Sequence, residues 1–287
     1  ATLLLDIEKF DDSLSLVLLV QTAEKLNFPA IVIALEMQVY LAPRLLKGAG
    51  GVSEPVWPTR SIVAGSHLGV PVAKLFLYPI LEKAHMVKPG DSVQLWSFID
   101  DTVARCEGHP TFVKPAFSKV SQALVQGLRE QRLVISDKTC LLCTSKSLAS
   151  SLGRFLLDLE VPCQVVKAAV DLGVDTAQGK ARRLPKSKER LKKASLRFGR
   201  IRKLRRSAKL SRISQSLWTT GALPQASYGH QCNGFPPSVV VTLRRQAAQA
   251  IAGKGAGRCL TSILSLHMGR KEPALELRRQ LVFEWLM

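Results

Sequence analysis

Several carboxylates in this chain stand where short apolar runs end, which is where an extended strand hands a side chain to solvent. Asp6 closes Leu3-Leu4-Leu5, and Asp11 and Asp12 follow at the next turn. Far along the chain, Asp100 and Asp101 separate Val93-Gln94-Leu95-Trp96-Ser97-Phe98 from Thr102-Val103-Ala104-Arg105. Both flanking segments alternate at strand period, so the Asp pair reads as the tip of a hairpin. Clustered carboxylates repel, and the usual compensations are a metal ion, Lys or Arg, or protonation. Two Mg²⁺ ions about 4 Å apart, held by carboxylates on neighbouring strands, are a standard device for in-line phosphoryl transfer. Asp is also common in plain turns, so the doublet acquires chemical meaning only in combination with Asp6.

The second feature is charge. The chain has 287 residues, 41 Lys and Arg against 22 Asp and Glu, and a net charge of +19. Sixteen of the bases and one acid, Glu189, fall between Lys180 and Arg212, so that segment carries +15 and the remainder is nearly neutral. With one acid among 16 bases, the repulsion has no internal remedy. A nucleic-acid backbone relieves it by counterion release. Leu191, Ala194, Phe198, Ile201, Leu204 and Ala208 recur at helical spacing through the same segment and predict one apolar stripe. Gly199 within it is an expected kink.

The elements that must position these groups follow from pattern. Leu3 to Leu5 predicts a strand, Asp12 or Ser13 caps a helix to about Leu26, and Pro29 opens a second helix carrying Ile31, Ile33, Leu35, Val39 and Leu41. Residues 47–60 form a Gly- and Pro-rich loop, and a third helix is expected over Ser66 to Met86. After the hairpin come a helix over Thr111 to Gln131, strands at Leu133-Val134-Ile135 and Cys140-Leu141-Leu142, and a helix over Ser147 to Leu159. Further strands are expected near Cys163 to Lys167 and at Leu172-Gly173-Val174. The fold class is α+β, an antiparallel sheet with packed helices followed by a mainly helical basic region from about residue 186. The expected division is a body over 1–178 and a basic helical region over 179–287.

In this order the acidic motifs resemble those of reverse transcriptases, most nearly of the non-LTR retroelement type. Asp6-Ile7-Glu8-Lys9-Phe10-Asp11-Asp12-Ser13-Leu14 resembles motif A, and Phe98-Ile99-Asp100-Asp101 resembles motif C, the aromatic-x-Asp-Asp hairpin. Between them, Thr59-Arg60-Ser61-Ile62-Val63-Ala64-Gly65-Ser66 is similar to motif B. Leu133-Val134-Ile135-Ser136-Asp137-Lys138-Thr139 is similar to motif D, and Val170-Asp171-Leu172-Gly173-Val174 to the strand that precedes the thumb. The likeness covers about residues 1–180, and the basic segment with Ala226-Ser227-Tyr228-Gly229 suits a thumb and connection.

The resemblance implies an RNA-directed DNA polymerase palm whose partners are an RNA template, a DNA primer and a dNTP, with two Mg²⁺ ions as cofactors. Asp6 and Asp100 would hold the ions, with Asp101 in support and the Ile7 carbonyl as a further ligand. Lys138 would lie near the pyrophosphate and protonate it. Asp11, Ala64, Gly65 and Ser66 would face the nucleotide, glycine allowing the backbone a close approach. The duplex would be held through phosphates by Lys192, Lys193, Arg197, Arg200, Arg202, Lys203, Arg205 and Arg206.

Three departures from the family pattern bear on activity. Asp11 stands where an aromatic residue normally excludes a 2′-hydroxyl, and Ala64 stands where the family has Gln. The chain also opens at motif A, without the upstream cations that clamp a triphosphate, so it reads as a fragment that does not polymerise as it stands. The alternative is a non-catalytic basic nucleic-acid-binding protein.

Other signals are weaker. Cys140 and Cys143 have zinc-like spacing without a second pair, and they are better read as alternation along a buried strand. The glycine-rich stretches at 47–51 and 253–257 lack the Gly-Lys-Ser/Thr ending of a phosphate loop. Trp57, Trp96, Trp218 and Trp285 are expected in the core. No signal peptide and no membrane-length apolar run is visible, and six scattered cysteines suit a reducing compartment, so an intracellular location, cytoplasm or nucleus, is expected.

Overall fold

The computed structural model describes residues 1–63, 65–178, 184–208, 211–252 and 259–286. Ala64, Gly179, Lys180, Ala181, Arg182, Arg183, Lys209 and the 253–257 stretch lie outside the described residues, as do the side chains of Arg206, Ala208 and Trp285. The fold is α+β, and the chain forms two compact units, Ala1–Lys167 and Ala168–Met287.

The first unit runs β1 (Thr2–Leu5), α1 (Phe10–Ser13), α2 (Leu16–Lys25), α3 (Ala30–Tyr40), β2 (Lys47–Gly48), β3 (Gly51–Val52), α4 (Gly69–Met86), β4 (Val93–Phe98), β5 (Asp101–Cys106), α5 (Pro110–Glu130), β6 (Cys140–Leu142), α6 (Lys146–Asp158) and β7 (Gln164–Val166). Its sheet has the order β4-β5-β1-β6-β7, antiparallel except for the β6–β7 pair. The run Leu3-Leu4-Leu5 takes the central strand because Leu3 and Leu5 alternate into the core beneath Phe117, Val120 and Leu124 of α5. Ser15 accepts from Leu18 N and starts α2, so the expected first helix is two pieces joined at Leu14.

Three local expectations are corrected here. Helix α4 begins at Gly69 rather than Ser66, because residues 63–69 are spent on successive turns, Ser66 N to Val63 O at 2.9 Å and Gly69 N to Ser66 O at 3.0 Å. Residues 133–135 are no strand of the sheet: Ile135 makes one isolated bridge to Ile7, and Val134 is exposed. Trp57 and Trp96 are 69% and 40% exposed, so of the four tryptophans Trp218 is the one seen fully buried. Trp96 lies on the sheet face that the helices leave uncovered, whereas Val93 and Leu95 pack inward.

The second unit opens with the hairpin β8 (Ala168–Asp171) and β9 (Val174–Ala177), then continues as α7 (Pro185–Ala208), α8 (Ser211–Leu217), a π-helical turn (Trp218–Ala222), α9 (Leu223–Ser227), α10 (His230–Asn233), α11 (Pro237–Ala252), α12 (Leu260–His267) and α13 (Pro273–Leu286). Leu172 and Gly173, expected in a strand, form the turn of that hairpin with φ of 44° and 78°. Helix α7 passes through Gly199 without a break. Ala194, Phe198 and Ile201 bury its apolar stripe against Trp218, Ala222 and Leu243, but Leu204 stays exposed. Asp175 fixes where α7 starts: its carboxylate accepts from Lys186 N at 3.0 Å and Ser187 N at 2.8 Å, satisfying first-turn donors.

Candidate active-site cleft and basic helix

Backbone pairing puts the acids together. Leu5 of β1 lies opposite Thr102 of β5, and Phe98 pairs with Asp101, so the hairpin tip that carries Asp100 stands beside the end of β1, where Asp6 leaves the sheet. On the other flank, Asp6 O accepts from Ser136 N and Glu8 N donates to Val134 O, both at 2.9 Å, while Asp6 N donates to Thr139 Oγ1 at 3.3 Å. These bonds tie residues 134–139, and with them Lys138, alongside the first aspartate. Because residues 6 and 8 spend their bonding groups on that segment, the Ile7 carbonyl points the opposite way, toward the hairpin side.

The result is a single open cleft of about 810 Å³. It is lined by Asp6, Ile7, Glu8, Lys9, Phe10, Asp11, Asp12, Asp100, Ile135, Ser136, Asp137, Lys138 and Pro162. Asp6, Asp11, Asp100, Ile7 and Lys138 of the candidate residues thus line one cleft; Asp101 stands in strand β5 and is not part of its lining. Gly65 and Ser66 do not line it either, and Ala64 lies outside the described residues. Lys9 is the cation that sequence reasoning passed over. It sits in the left-handed region, φ 47° and ψ 48°, at the start of α1, and shares the cleft with Lys138.

Electrostatics follow from the crowding. Partial burial, then the charges of Asp100 and Asp12, push the Asp11 carboxyl above the usual carboxylate range. Asp11 and Asp100 line the same cleft. The hairpin tip itself is held in an uncommon conformation, since Ile99 has φ 56°, which costs a β-branched residue about 1–3 kcal/mol. Ser97 Oγ helps to hold the tip by donating to Ile99 O at 3.1 Å.

The donor set suits a hard cation. The carboxylates of Asp6, Asp11, Asp12 and Asp100 in the cleft lining are oxygen donors of the kind a hard cation takes. Among the described residues there is no group of three or more His, Cys, Asp or Glu placed to hold a metal ion by themselves.

In the second unit the basic residues divide by what they touch. Lys192, Arg200 and Lys203 are exposed on the face of α7 opposite Ala194, Phe198 and Ile201. Lys193 pairs with Glu189 at 2.5 Å, and Lys186 joins the same carboxylate at 2.9 Å, which with their charges holds it down at about 2. Arg197 donates to Gly221 O at 3.0 Å, Arg202 lies 5.9 Å over the Phe198 ring, and Arg205 is half-buried. Some of the expected phosphate ligands are thus engaged with the protein itself.

No family model matches the chain, and no curated protein matches it. A solved structure of telomerase from Candida albicans, in complex with a TWJ fragment of telomeric RNA, is similar at a TM-score of 0.46 and 11% identity, over 96% of this chain and 49% of that one. This chain spans about half the length of that telomerase chain. Among the described residues no helix is long and apolar enough to cross a membrane.

Proposed function

We propose that the chain carries the palm of a reverse-transcriptase-type nucleotidyltransferase, of the non-LTR retroelement kind by its motifs, followed by a basic helical region that grips the template–primer duplex. The observation that supports this reading is the shared cleft. Asp6 and Asp11 come from one segment and Asp100 from another almost a hundred residues later, and pairing of β1 with the β4–β5 hairpin is what lets them line one cleft together with Lys138.

Asp6 and Asp100, with the Ile7 carbonyl and Asp101 beside them, are the residues that would hold Mg²⁺. The ions would supply charge compensation at the attacking and leaving oxygens. The chain's own contribution is positional. Lys9 and Lys138 line a cleft otherwise rich in acids and would set two positive charges against a triphosphate, Lys138 giving a proton to a departing pyrophosphate. Asp11 adds negative charge where sugar discrimination would need bulk. The exposed Lys192, Arg200 and Lys203 would meet duplex phosphates.

The test is primer extension on an RNA template with Mg²⁺ and dNTPs. Joined to a segment bearing Lys and Arg that clamp a triphosphate, the chain is expected to extend the primer, and Asp100→Asn is expected to abolish extension. Extension unaffected by Asp100→Asn refutes the metal role. A second reading, a degenerate or non-catalytic basic nucleic-acid-binding protein, is motivated by Asp11, an acid where the resembled family has an aromatic residue. Salt-dependent duplex binding with no divalent ion bound at the cleft selects it.

A further inference from the structure

Helix α3 is almost wholly apolar and has one charged residue, Glu36, which is 8% exposed. A carboxylate in such surroundings is costly unless hydroxyl or amide donors face it. One donor is Ser66 Oγ, at 3.0 Å from Glu36 Oε2. One helical turn beyond Glu36, the Tyr40 hydroxyl is fully buried and has no partner at good hydrogen-bonding geometry. Burial first, and then its hydrogen bonding toward Glu36, push this phenol up, and the Asp11 charge adds to the same effect.

The segment that Ser66 belongs to needs an anchor. It is tied to α1 upstream, where Ile62 N donates to Asp11 O at 2.9 Å and Ser61 N donates to Leu14 O at 3.0 Å. Downstream it enters α4. In between, Gly65 has φ 84° and nothing within 4 Å of where a Cβ would be, so the turn is both permissive and uncovered. Among the described residues of this turn, the side-chain hydrogen bond that holds it is the one from Ser66 to Glu36.

We propose that Glu36, with Tyr40 beside it, is a positioning residue that fixes the Gly65–Ser66 turn, which lies outside the cleft wall and is joined through Ile62 N and Asp11 O to an acid that lines it. The functional half of this inference rests on the polymerase reading; the clamp itself does not. Glu36→Ala removes the acceptor of the half-buried Ser66 hydroxyl and opens a void beside the buried Tyr40 hydroxyl, whereas Glu36→Gln keeps an oxygen for Ser66.

Two measurements on the full chain separate the halves. Amide hydrogen exchange over residues 61–69 is expected to accelerate at least about tenfold in Glu36→Ala and to return toward wild type in Glu36→Gln, as loss of a hydrogen bond to a charged group implies. Affinity for Mg²⁺–dATP, read by calorimetry, is expected to fall about tenfold in Glu36→Ala and to recover in Glu36→Gln. Exchange that does not change in Glu36→Ala overturns the clamp. Faster exchange with unchanged dATP affinity overturns the positioning role. A wild-type chain that binds no dATP overturns the functional half, and exchange then decides the clamp alone.

Discussion

Some basic residues of α7 are engaged with their own unit, and this gives the strongest quantitative expectation. Lys192, Arg200 and Lys203 project from the face of α7 opposite its apolar stripe, whereas Arg197, though exposed, donates to Gly221 O and Arg205 is half-buried. Each Lys or Arg that neutralises a duplex phosphate adds about 0.9 to the slope of log affinity against log salt. Replacing the three outward residues with Ala should therefore flatten that slope by about 2.7. Between about 50 and 200 mM salt, the wild-type chain then loses about 40-fold more affinity than the triple variant. Arg197→Ala together with Arg205→Ala removes two charges yet is expected to leave the slope within about 0.5 of wild type while lowering stability. The assay is fluorescence anisotropy of a labelled duplex across a salt series. Equal slope losses in the two variants would show that the helix acts as a diffuse polycation, and the division by face would be wrong.

Other expectations concern the elements that hold this scaffold. Asp175→Ala strips two hydrogen bonds from the start of α7 and should cost about 2 kcal/mol by urea denaturation, with Asp175→Asn recovering about half; no loss would mean that water replaces the cap. The buried His230 ring has Nδ1 at 2.8 Å from Ser227 O and Nε2 at 3.0 Å from Leu277 O, so His230→Ala should cost about 3 kcal/mol, and a loss under about 1 kcal/mol would contradict that bridging role. Hydrogen bonds from Ser262 draw the exposed Cys259 thiol below its ordinary range, whereas burial, with the Cys140 and Cys143 charges, pushes Cys163 up to about 12. The lower value gives the larger thiolate fraction, so at about pH 8 a maleimide should label Cys259 well before Cys163. Mass spectrometry of the labelled peptides reads the order, and the reverse order would refute it.

Much of the framework was legible because its signals are local. Leu3-Leu4-Leu5 ending at Asp6, and two alternating segments flanking Asp100-Asp101, define strands whose pairing then has few options. What escaped depends on contacts between distant residues. Ser66 looks like a helix start until its hydroxyl is seen committed to Glu36, which defers α4 to Gly69. Glu36 itself carried a usable signal, a single charge in an apolar helix, but nothing local says what it meets. Trp96 obeys strand alternation and still faces outward, because alternation assigns a side and not which side is covered. The basic residues of α7 look equivalent in a charge count, and only the packing of the helix around Phe198 and Trp218 shows which of them lie opposite the apolar stripe and which engage their own unit. Lys9 was missed because a lysine between acids reads as simple charge balance until the chain turns it into the cleft.

The central claim is that Asp6 and Asp100 act on the same divalent ions. Titration with Mn²⁺ in place of Mg²⁺, followed by electron paramagnetic resonance, tests it in the wild-type chain, in Asp6→Asn, in Asp100→Asn and in the double variant. Each single change is expected to weaken Mn²⁺ binding about tenfold or more, and the double change is expected to add much less than the sum of the two, as for residues sharing one site. Mn²⁺ affinity unchanged by either substitution, or fully additive losses, would contradict the account.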